Sequence, residues 1–511
     1  MVSKEGKSIV YTLTAKCRDC YRCVRKCPVK AIAIRDGQAY IDEERCIYCG
    51  TCTLECPQSA KTYRQDFLHV KEAIEAGKKV VASLAPSFAA AYSSWQAARV
   101  PSILRMLGFS SVYETAEGAL HVAAATANHV KGKEGCQYCT ACPTVVNYVE
   151  KYKIEKVDNL VPLASPMMAH GRLLRERYGE DGVIVFIGPC IAKKMEAERP
   201  ENRGVIDYAL TFEELNKWMS VEGIDFKNCE ESPFDAVDAT GKARRFPIPG
   251  GLFQTAESAV KGVEEEYLST SGRGSMFGIF ELEDKEDELL VIDHLFCSEG
   301  CINGPGIERT KSLFERRRNL MNYAKKHEAD PIEDFKPSLR LRTTFQAIGI
   351  EGDRKITEKE VNQVLELTGK RDQEAQLNCG ACGYGSCIEM AEAVVKGLAE
   401  PEMCMPYMRR MAEQRSDKII ETSPNGIVLI DMELNIISMN PAFKKLFMCT
   451  DSIAGRRISY LIDAAGYEKL ATNTLDSYES IVEYGGKIYH QLIYALKGEK
   501  QLVGIYVDIT K

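Results

Sequence analysis

Apolar runs and helical repeats alternate through the middle of the chain. VVASLAP (Val80–Pro86) is a continuous apolar run closed by a proline and predicts a buried strand, and the Ala-rich SFAAAYSSWQAAR after it predicts a helix. VIVFIGP (Val183–Pro189) predicts a second short buried strand, followed at once by Cys190. LLVIDHLFCSEGC (Leu289–Cys301) repeats the arrangement, an apolar strand and then Cys297 and Cys301 on a loop. Ligands on the loops after α/β strands are the expected site architecture. In ENRGVIDYALTFEELNKWMS, Thr211 with Glu214 three residues later predicts a capped helix start. Near the end, SPNGIVLIDMELNIISMNPAFKKLF reads strand, turn, strand, helix, and LVGIYVDITK predicts a closing strand.

Length and composition narrow the class. The 511 residues should hold roughly three or four domains. A net charge of −7 argues against a dominant nucleic-acid or membrane-surface role. The N-terminus has no apolar signal-peptide core, and the uncharged stretch Val80–Ala98 is Ala- and Ser-rich, without the Leu/Ile density of a membrane span. A cytoplasmic location is the expectation. Between Lys311 and Asp372 the chain is strongly charged, as in FERRRNL and HEADPIEDFKP, and predicts a helix surface and linker.

The twenty cysteines change the picture most. They cluster at metal-ligand spacings, as in a reducing compartment rather than a disulfide framework. CRDCYRCVRKCP (Cys17–Pro28) and CIYCGTCTLECP (Cys46–Pro57) are two copies of C-x2-C-x2-C-x3-C-P, in which the fourth cysteine of each run ligates the other cluster. One [4Fe–4S] cluster should use Cys17, Cys20, Cys23 and Cys56, and the other Cys46, Cys49, Cys52 and Cys27. Zinc is the alternative, but the doubled run with paired prolines is rarely a zinc site. This segment resembles a two-cluster ferredoxin domain. A third group, Cys379, Cys382, Cys387 and Cys404, resembles the small [4Fe–4S] domain of electron-transport-complex B subunits and corrinoid iron–sulfur proteins; here too zinc is the alternative.

EGCQYCTACPTVV (Glu134–Val146) poses a separate question: a ferredoxin half, a zinc knuckle or something rarer. Its proline follows the third cysteine, and the next cysteine is Cys190, so ligands must be gathered from elsewhere. Taken with P-C-x-x-K-x-x-E (Pro189, Cys190, Lys193, Glu196) and C-x3-C (Cys297, Cys301), the region resembles the catalytic domain of [FeFe]-hydrogenases. The resemblance implies that Cys142, Cys190, Cys297 and Cys301 hold the [4Fe–4S] half of an H-cluster. It implies that Cys301 bridges to a di-iron subcluster bearing CO, cyanide and an azadithiolate, and that Lys193 donates to a cyanide. Ala85, Pro86 and Ser87 match the family's contact to the other cyanide, and Gly250 and Gly251 match a glycine pair packed close to the cluster.

The departures matter equally. Ala141 stands where the productive enzymes have the innermost cysteine of their proton path, so that relay is cut. Gly188 and Leu295 replace methionines, and Val145 a tryptophan. Losing a positioned proton donor typically costs roughly 10²–10⁴ in rate. Cys139 and Cys136 are candidates for a replacement relay, the alternative being buried thiols without a role. Cys229 and Cys449 read as structural, and His294 as a packed residue near Cys297.

The last segment resembles a PAS sensor domain, which implies a five-stranded antiparallel sheet with helices on one face. The reading is thus an α/β multidomain chain: residues 1–66 a two-cluster ferredoxin-like domain, 67–347 an α/β H-cluster domain, 348–412 a linker and small [4Fe–4S] domain, and 413–511 an α+β PAS domain. The combination resembles the sensory [FeFe]-hydrogenase class, with three accessory [4Fe–4S] clusters besides the H-cluster. Its implied partners are H2 and protons, a redox partner such as ferredoxin, a downstream kinase or phosphatase, and a second copy through PAS. The rival readings are a catalytic ferredoxin-linked hydrogenase, and a relative without the di-iron unit that acts in cluster assembly or redox sensing.

Overall fold

The computed structural model describes residues 8–235, 241–258, 266–282, 288–328, 335–336, 339–350, 355–472, 476–496 and 498–510. The chain divides into two compact units, Met1–Pro401 and Glu402–Lys511.

The first unit begins with two small antiparallel ladders. β1 (Val10–Thr12) pairs β4 (Lys61–Tyr63), and β2 (Ile32–Arg35) pairs β3 (Gln38–Ile41). Single-turn helices Arg22–Lys26 and Thr51–Glu55 carry the middle of each cysteine run. Two parallel sheets follow. One has the order β6 (Ser111–Glu114), β5 (Val80–Leu84), β8 (Val183–Gly188), β9 (Tyr208–Thr211). The other has the order β10 (Glu266–Ser271), β11 (Leu289–Leu295), β7 (Gly135–Tyr138). Every residue of β5 and of β8 is buried, which is why both read as unbroken apolar runs: crossover helices cover both faces of a parallel sheet.

The helix expected after β5 is instead two single turns, Phe88–Ala91 and Ser94–Ala97. Ser93 is extended and forms a capping box with Gln96, so its polar groups end the first turn and start the second. At Thr211 the capping box is present: its hydroxyl accepts from Glu214 N at 3.1 Å, and its own N–H donates to Glu214 Oε2 at 2.8 Å.

A buried ionic knot fixes β4 to β9. Lys194 Nζ, fully buried, donates to Asp66 Oδ2 at 3.0 Å, to Ala209 O at 2.7 Å and to Glu214 at 2.9 Å. Tyr63 Oη donates to Glu213 Oε2 at 2.8 Å. Gly50, at φ +72°, makes a further close approach possible: a Cβ there would lie 2.6 Å from Pro305 Cβ.

The second unit opens with helix Met405–Thr422, which runs through position 413, where the sequence reading begins the PAS domain. Its sheet has the order β13 (Ile436–Met439), β12 (Gly426–Asp431), β16 (Gln501–Asp508), β15 (Lys487–Leu496), β14 (Ser477–Tyr484), and every neighbouring pair is antiparallel. Phe443, Phe447, Tyr467, Tyr489 and Tyr506 fill its core. Gly504 has no room for a side chain, since a Cβ would meet Tyr467 Oη at 1.8 Å.

FERRRNL lies within helix Leu313–Lys326. Most of HEADPIEDFKP lies outside the described residues. Among the described residues no helix is long and apolar enough to cross a membrane.

Candidate metal centre and its approaches

The C-terminal edges of the two parallel sheets deliver their loops to one cavity. β5 leads to Ala85, Pro86 and Ser87; β8 to Pro189 and Cys190; β7 to Ala141 and Cys142; β11 to Phe296, Cys297 and Cys301. All of these line a cavity that leaves about 870 Å³ free of protein atoms. The rest of its wall is mostly apolar, with Met167, Phe186, Phe246 and Leu295, but includes Lys193, Thr115 and Thr144.

The four cysteines share one electrostatic environment. Burial pushes their thiols up, Cys190 to about 12, and repulsion between Cys142, Cys190, Cys297 and Cys301 adds to it. As bare groups they stay protonated at neutral pH. A metal centre would supply the positive charge that makes them thiolates, so the donor set fits an iron–sulfur cubane. Among the described residues no three His, Cys, Asp or Glu side chains converge closely enough to hold a single metal ion.

Two groups suit anionic ligands on such a centre. Lys193 stands at the cavity wall on helix Ala192–Glu198, and its Nζ donates to Ser165 Oγ at 2.8 Å and Glu196 Oε2 at 2.7 Å. The K-x-x-E spacing is thereby explained: one helical turn lets the glutamate hold the lysine in place. The Ser87 hydroxyl is buried and has no hydrogen-bond partner among the described residues. A buried donor left unmade is costly, which marks it as a contact for a bound group.

Other predicted positions fall elsewhere. Gly250 and Gly251 do not line the cavity. What Gly251 serves is backbone packing, since a Cβ would lie 2.1 Å from Arg245 O. Neither Cys136 nor Cys139 lines the cavity either. Cys136 lies on β7 opposite Leu290, packed among Tyr138 and Val145. Cys139 is buried, which pushes its thiol well up, and Asp293 is close enough to raise it further. Ala141 lines the cavity, and its carbonyl lies 3.4 Å from Lys193 Nζ. Val145 is buried away from the lining. His294 Nδ1 lies 2.7 Å from Thr270 Oγ1. The Cys229 thiol donates to Asp225 O at 3.2 Å, and Cys449 packs against Met439 Sδ at 3.9 Å.

Two residues escaped the sequence reading. Phe186 fills the space left at Gly188, where a Cβ would sit 2.5 Å from its ring. Asp293 is a carboxylic acid that burial pushes up to about 7, partly offset by a hydrogen bond from the Gly250 N–H. An acid inside the apolar run LLVIDHL was the available signal.

The approaches to the cavity are cysteine-lined. Cys49 borders it directly. Cys17, Cys20, Cys23 and Cys56 surround a second cavity, with about 380 Å³ free of protein atoms. Cys46, Cys49, Cys52 and Cys27 are mutual neighbours: burial raises the Cys49 thiol to about 11, and the charge of Cys27 contributes. The loop after Cys379 rests on helix Arg22–Lys26. Arg25 Nη1 donates to Ala381 O at 3.0 Å, and Lys30 Nζ donates to Gly383 O at 2.6 Å. Gly383 permits this contact, since a Cβ would be 3.0 Å from Val24. Cys404 begins helix Met405–Thr422 of the second unit.

Four family models match the chain. Residues 78–305 match the C-terminal domain of the iron only hydrogenase large subunit, and residues 16–60 a 4Fe-4S dicluster domain. Residues 375–406 match an Fe-S cluster model and residues 414–477 a PAS domain. The chain is 25% identical over 368 residues to the NADP-reducing hydrogenase subunit HndD of Solidesulfovibrio fructosivorans, across 57% of this chain and 63% of that protein. It is 30% identical over 279 residues to the periplasmic [Fe] hydrogenase large subunit of Nitratidesulfovibrio vulgaris, across 42% of this chain and 66% of that one. It is also 35% identical over 98 residues to the cytosolic Fe-S cluster assembly factor NAR1 of Vanderwaltozyma polyspora, 19% of each chain. The matched stretches thus span just under two thirds of the two hydrogenase subunits.

Proposed function

This chain carries an iron-only hydrogenase large-subunit domain between iron–sulfur modules, with a PAS domain after them, and we propose that it is a sensory [FeFe]-hydrogenase. The observation that carries the reading is one cavity bordered by four half-buried cysteines, Lys193 and the Ser87 hydroxyl, which has no hydrogen-bond partner among the described residues. An H-cluster, a [4Fe–4S] cubane joined to a di-iron unit with CO, cyanide and azadithiolate, would supply the reversible conversion of H2 into two protons and two electrons. Cys142, Cys190, Cys297 and Cys301 would hold the cubane. Lys193, fixed by Glu196 and Ser165, and Ser87, with the backbone of Ala85 and Pro86, bind the anionic ligands. Phe186, Leu295 and Phe246 exclude water, which strengthens those charge interactions.

Cys27, Cys46, Cys49 and Cys52 would hold one accessory cluster and Cys17, Cys20, Cys23 and Cys56 another, and the two would supply a path for electrons on the side of the cavity that Cys49 borders. A third accessory cluster uses Cys379, Cys382, Cys387 and Cys404, all within the matched Fe-S segment. Ala141 offers no titratable group, so turnover is slow and the protein reports hydrogen rather than producing it. The domains run 1–66, 67–347, 348–412 and 413–511. Cluster state and PAS conformation share a coupling free energy that a downstream kinase or phosphatase reads. The protein works in the cytoplasm, exchanges electrons with a partner such as ferredoxin, and pairs through PAS.

The local identity to NAR1, higher than to either hydrogenase subunit, favours a second reading: cluster assembly without the di-iron unit. Loading the purified protein with the synthetic di-iron cofactor separates the two. Infrared bands of CO and cyanide, with slow H2 turnover, are expected; their absence after loading would defeat the hydrogenase reading.

A further inference from the structure

A file of polar side chains runs through the apolar interior from the main cavity toward the surface. Thr115 lines the cavity, and its Oγ1 lies 2.8 Å from Ser83 Oγ. Ser83 Oγ lies 2.7 Å from His170 Nδ1. On the other side of the ring, His170 Nε2 lies 3.8 Å from Glu117 Oε2, and Glu117 Oε2 lies 3.1 Å from Arg177 Nη2. Ser83 and His170 are fully buried, Thr115 and Glu117 nearly so, while the Arg177 side chain is 32% exposed. Their chain neighbours Leu84, Ala116 and Ala169 are buried apolar residues, as are Ala119, Met167 and Leu174 on the same two helices, Ala116–Val130 and Pro166–Tyr178.

Such a file is an expensive way to fill a core. A buried hydroxyl, imidazole and ion pair each lose hydration, and apolar residues of the same shape would pack as well or better. None of the five is among the cysteines or anion-binding groups of the proposed centre. The file also ends where a proton is needed, because Ala141 cannot deliver one.

We propose that Thr115, Ser83, His170 and Glu117 conduct protons between solvent and the main cavity, with Arg177 positioning the outer carboxylate. This rests on the hydrogenase reading. The proton balance closes without electrons. Glu117 takes a proton from solvent beside Arg177 and becomes a carboxylic acid. It passes that proton to His170 Nε2, which makes no hydrogen bond among the described residues and carries the lone pair in the tautomer whose Nδ1–H donates to Ser83 Oγ. In the same event the Nδ1 proton moves to Ser83 Oγ, the Ser83 proton to Thr115 Oγ1, and the Thr115 proton into the cavity. Glu117 returns to carboxylate, and one proton has crossed.

The 3.8 Å gap exceeds hydrogen-bond length, so Glu117 must swing inward or a water must bridge it. Burial and the charges of Arg177 and His121 push His170 down to about 3, which forbids a resting imidazolium and makes the two ring transfers concerted. The Tyr113 ring, 6.4 Å away and edge-on, packs beside the imidazole. Resetting the tautomer inside that packing is slow, which gives the route a low ceiling.

The test uses the full-length protein loaded with the di-iron cofactor. Thr115→Val and Glu117→Gln keep shape and remove the proton function; Thr115→Ser keeps the hydroxyl. Infrared spectroscopy would follow band positions and the rate at which oxidised and reduced states interconvert after pulsed reduction, alongside turnover in H2O and D2O. We expect unchanged bands, a fall of roughly tenfold or more in both rates for the first two variants with a larger solvent isotope effect, and near-normal rates for Thr115→Ser. Ser83→Ala carries the same expectation and decides the case if another variant fails to fold. Unchanged rates would overturn the file alone, as would slowing accompanied by shifted bands. Absence of CO and cyanide bands in the unsubstituted protein would overturn the hydrogenase reading, and the file with it.

Discussion

Lys194→Met is a direct test of how the cysteine-rich N-terminal segment is fastened to the cavity-bearing domain. The ammonium is fully buried, about 3 Å from Asp66 and from Glu214. At an effective dielectric of about 20, each attraction is worth about 5 kcal/mol before desolvation is subtracted. Removing the cation strands both carboxylates, and breaking such a buried pair costs about 3–5 kcal/mol. Asp66 keeps Arg64 at 2.7 Å, and Glu214 keeps the N–H groups of Asp66 and Thr211, which favours the lower end. Burial alone would raise Asp66; Lys194 and Arg64 outweigh it and hold the carboxyl below its ordinary value. Its contribution is therefore present above the unfolded value near ~3.9 and is lost as pH falls through the folded one.

Without Lys194 burial is opposed by Arg64 alone, and the loss at Asp66 is bounded by the cost of taking a proton. At 1.36 kcal/mol per pH unit, that protonation costs about 4 kcal/mol at pH 7 and about 1.5 kcal/mol at pH 5. The penalty should be about 3–4 kcal/mol at pH 7 and shrink toward ~1.5 kcal/mol at pH 5. Hydrogen exchange read by mass spectrometry on peptides covering β4 and β9 measures this locally, which suits a chain that will not unfold in one step. After correction for intrinsic rates, exchange should accelerate roughly 10²–10³-fold at pH 7 and far less at pH 5. Protection equal to that of the unsubstituted protein at pH 7, or a penalty that does not shrink with pH, would refute the reasoning.

Reconstituted protein without the di-iron unit should bind roughly sixteen irons, four for each four-cysteine cubane, and Cys404→Ala should lose about four; iron analysis with electron paramagnetic resonance checks both. Ala141→Cys should raise hydrogen evolution under saturating reductant, because a thiol with a reference pKa near ~8.5 can pass protons beside the cavity. The gain will be partial, since the neighbouring Cys139 is buried and does not line the cavity. Deleting 413–511 should leave hydrogen turnover and CO and cyanide bands intact while abolishing the response of a reconstituted signalling partner; an equal response would remove PAS from the pathway.

The cysteine spacings, the apolar runs and the strand, turn, strand, helix succession near the end were legible from sequence because each is a local property: cluster ligands follow a short covalent rhythm, and strands buried on both faces cannot hide their composition. The four cysteines at the main cavity could be named from motifs, but only the two parallel sheets decide that loops from residues 85 to 301 meet. Sequence placed Gly188 as a missing side chain; packing shows Phe186 in that space, a contact between residues on one strand that no motif records. Gly250 and Gly251 read as cluster neighbours; neither lines the cavity, and at Gly251 it is the Arg245 carbonyl that leaves no room for a side chain, because the absence of a side chain does not say what comes close. Cys139 stood three residues from Cys142, yet the turn after β7 directs it away from the cavity and toward Asp293. The file from Thr115 to Arg177 draws on β5 and two helices far apart in the chain. Hydrogen-bond chains of that kind exist only after folding, since sequence separation carries no information about which buried polar groups must find one another.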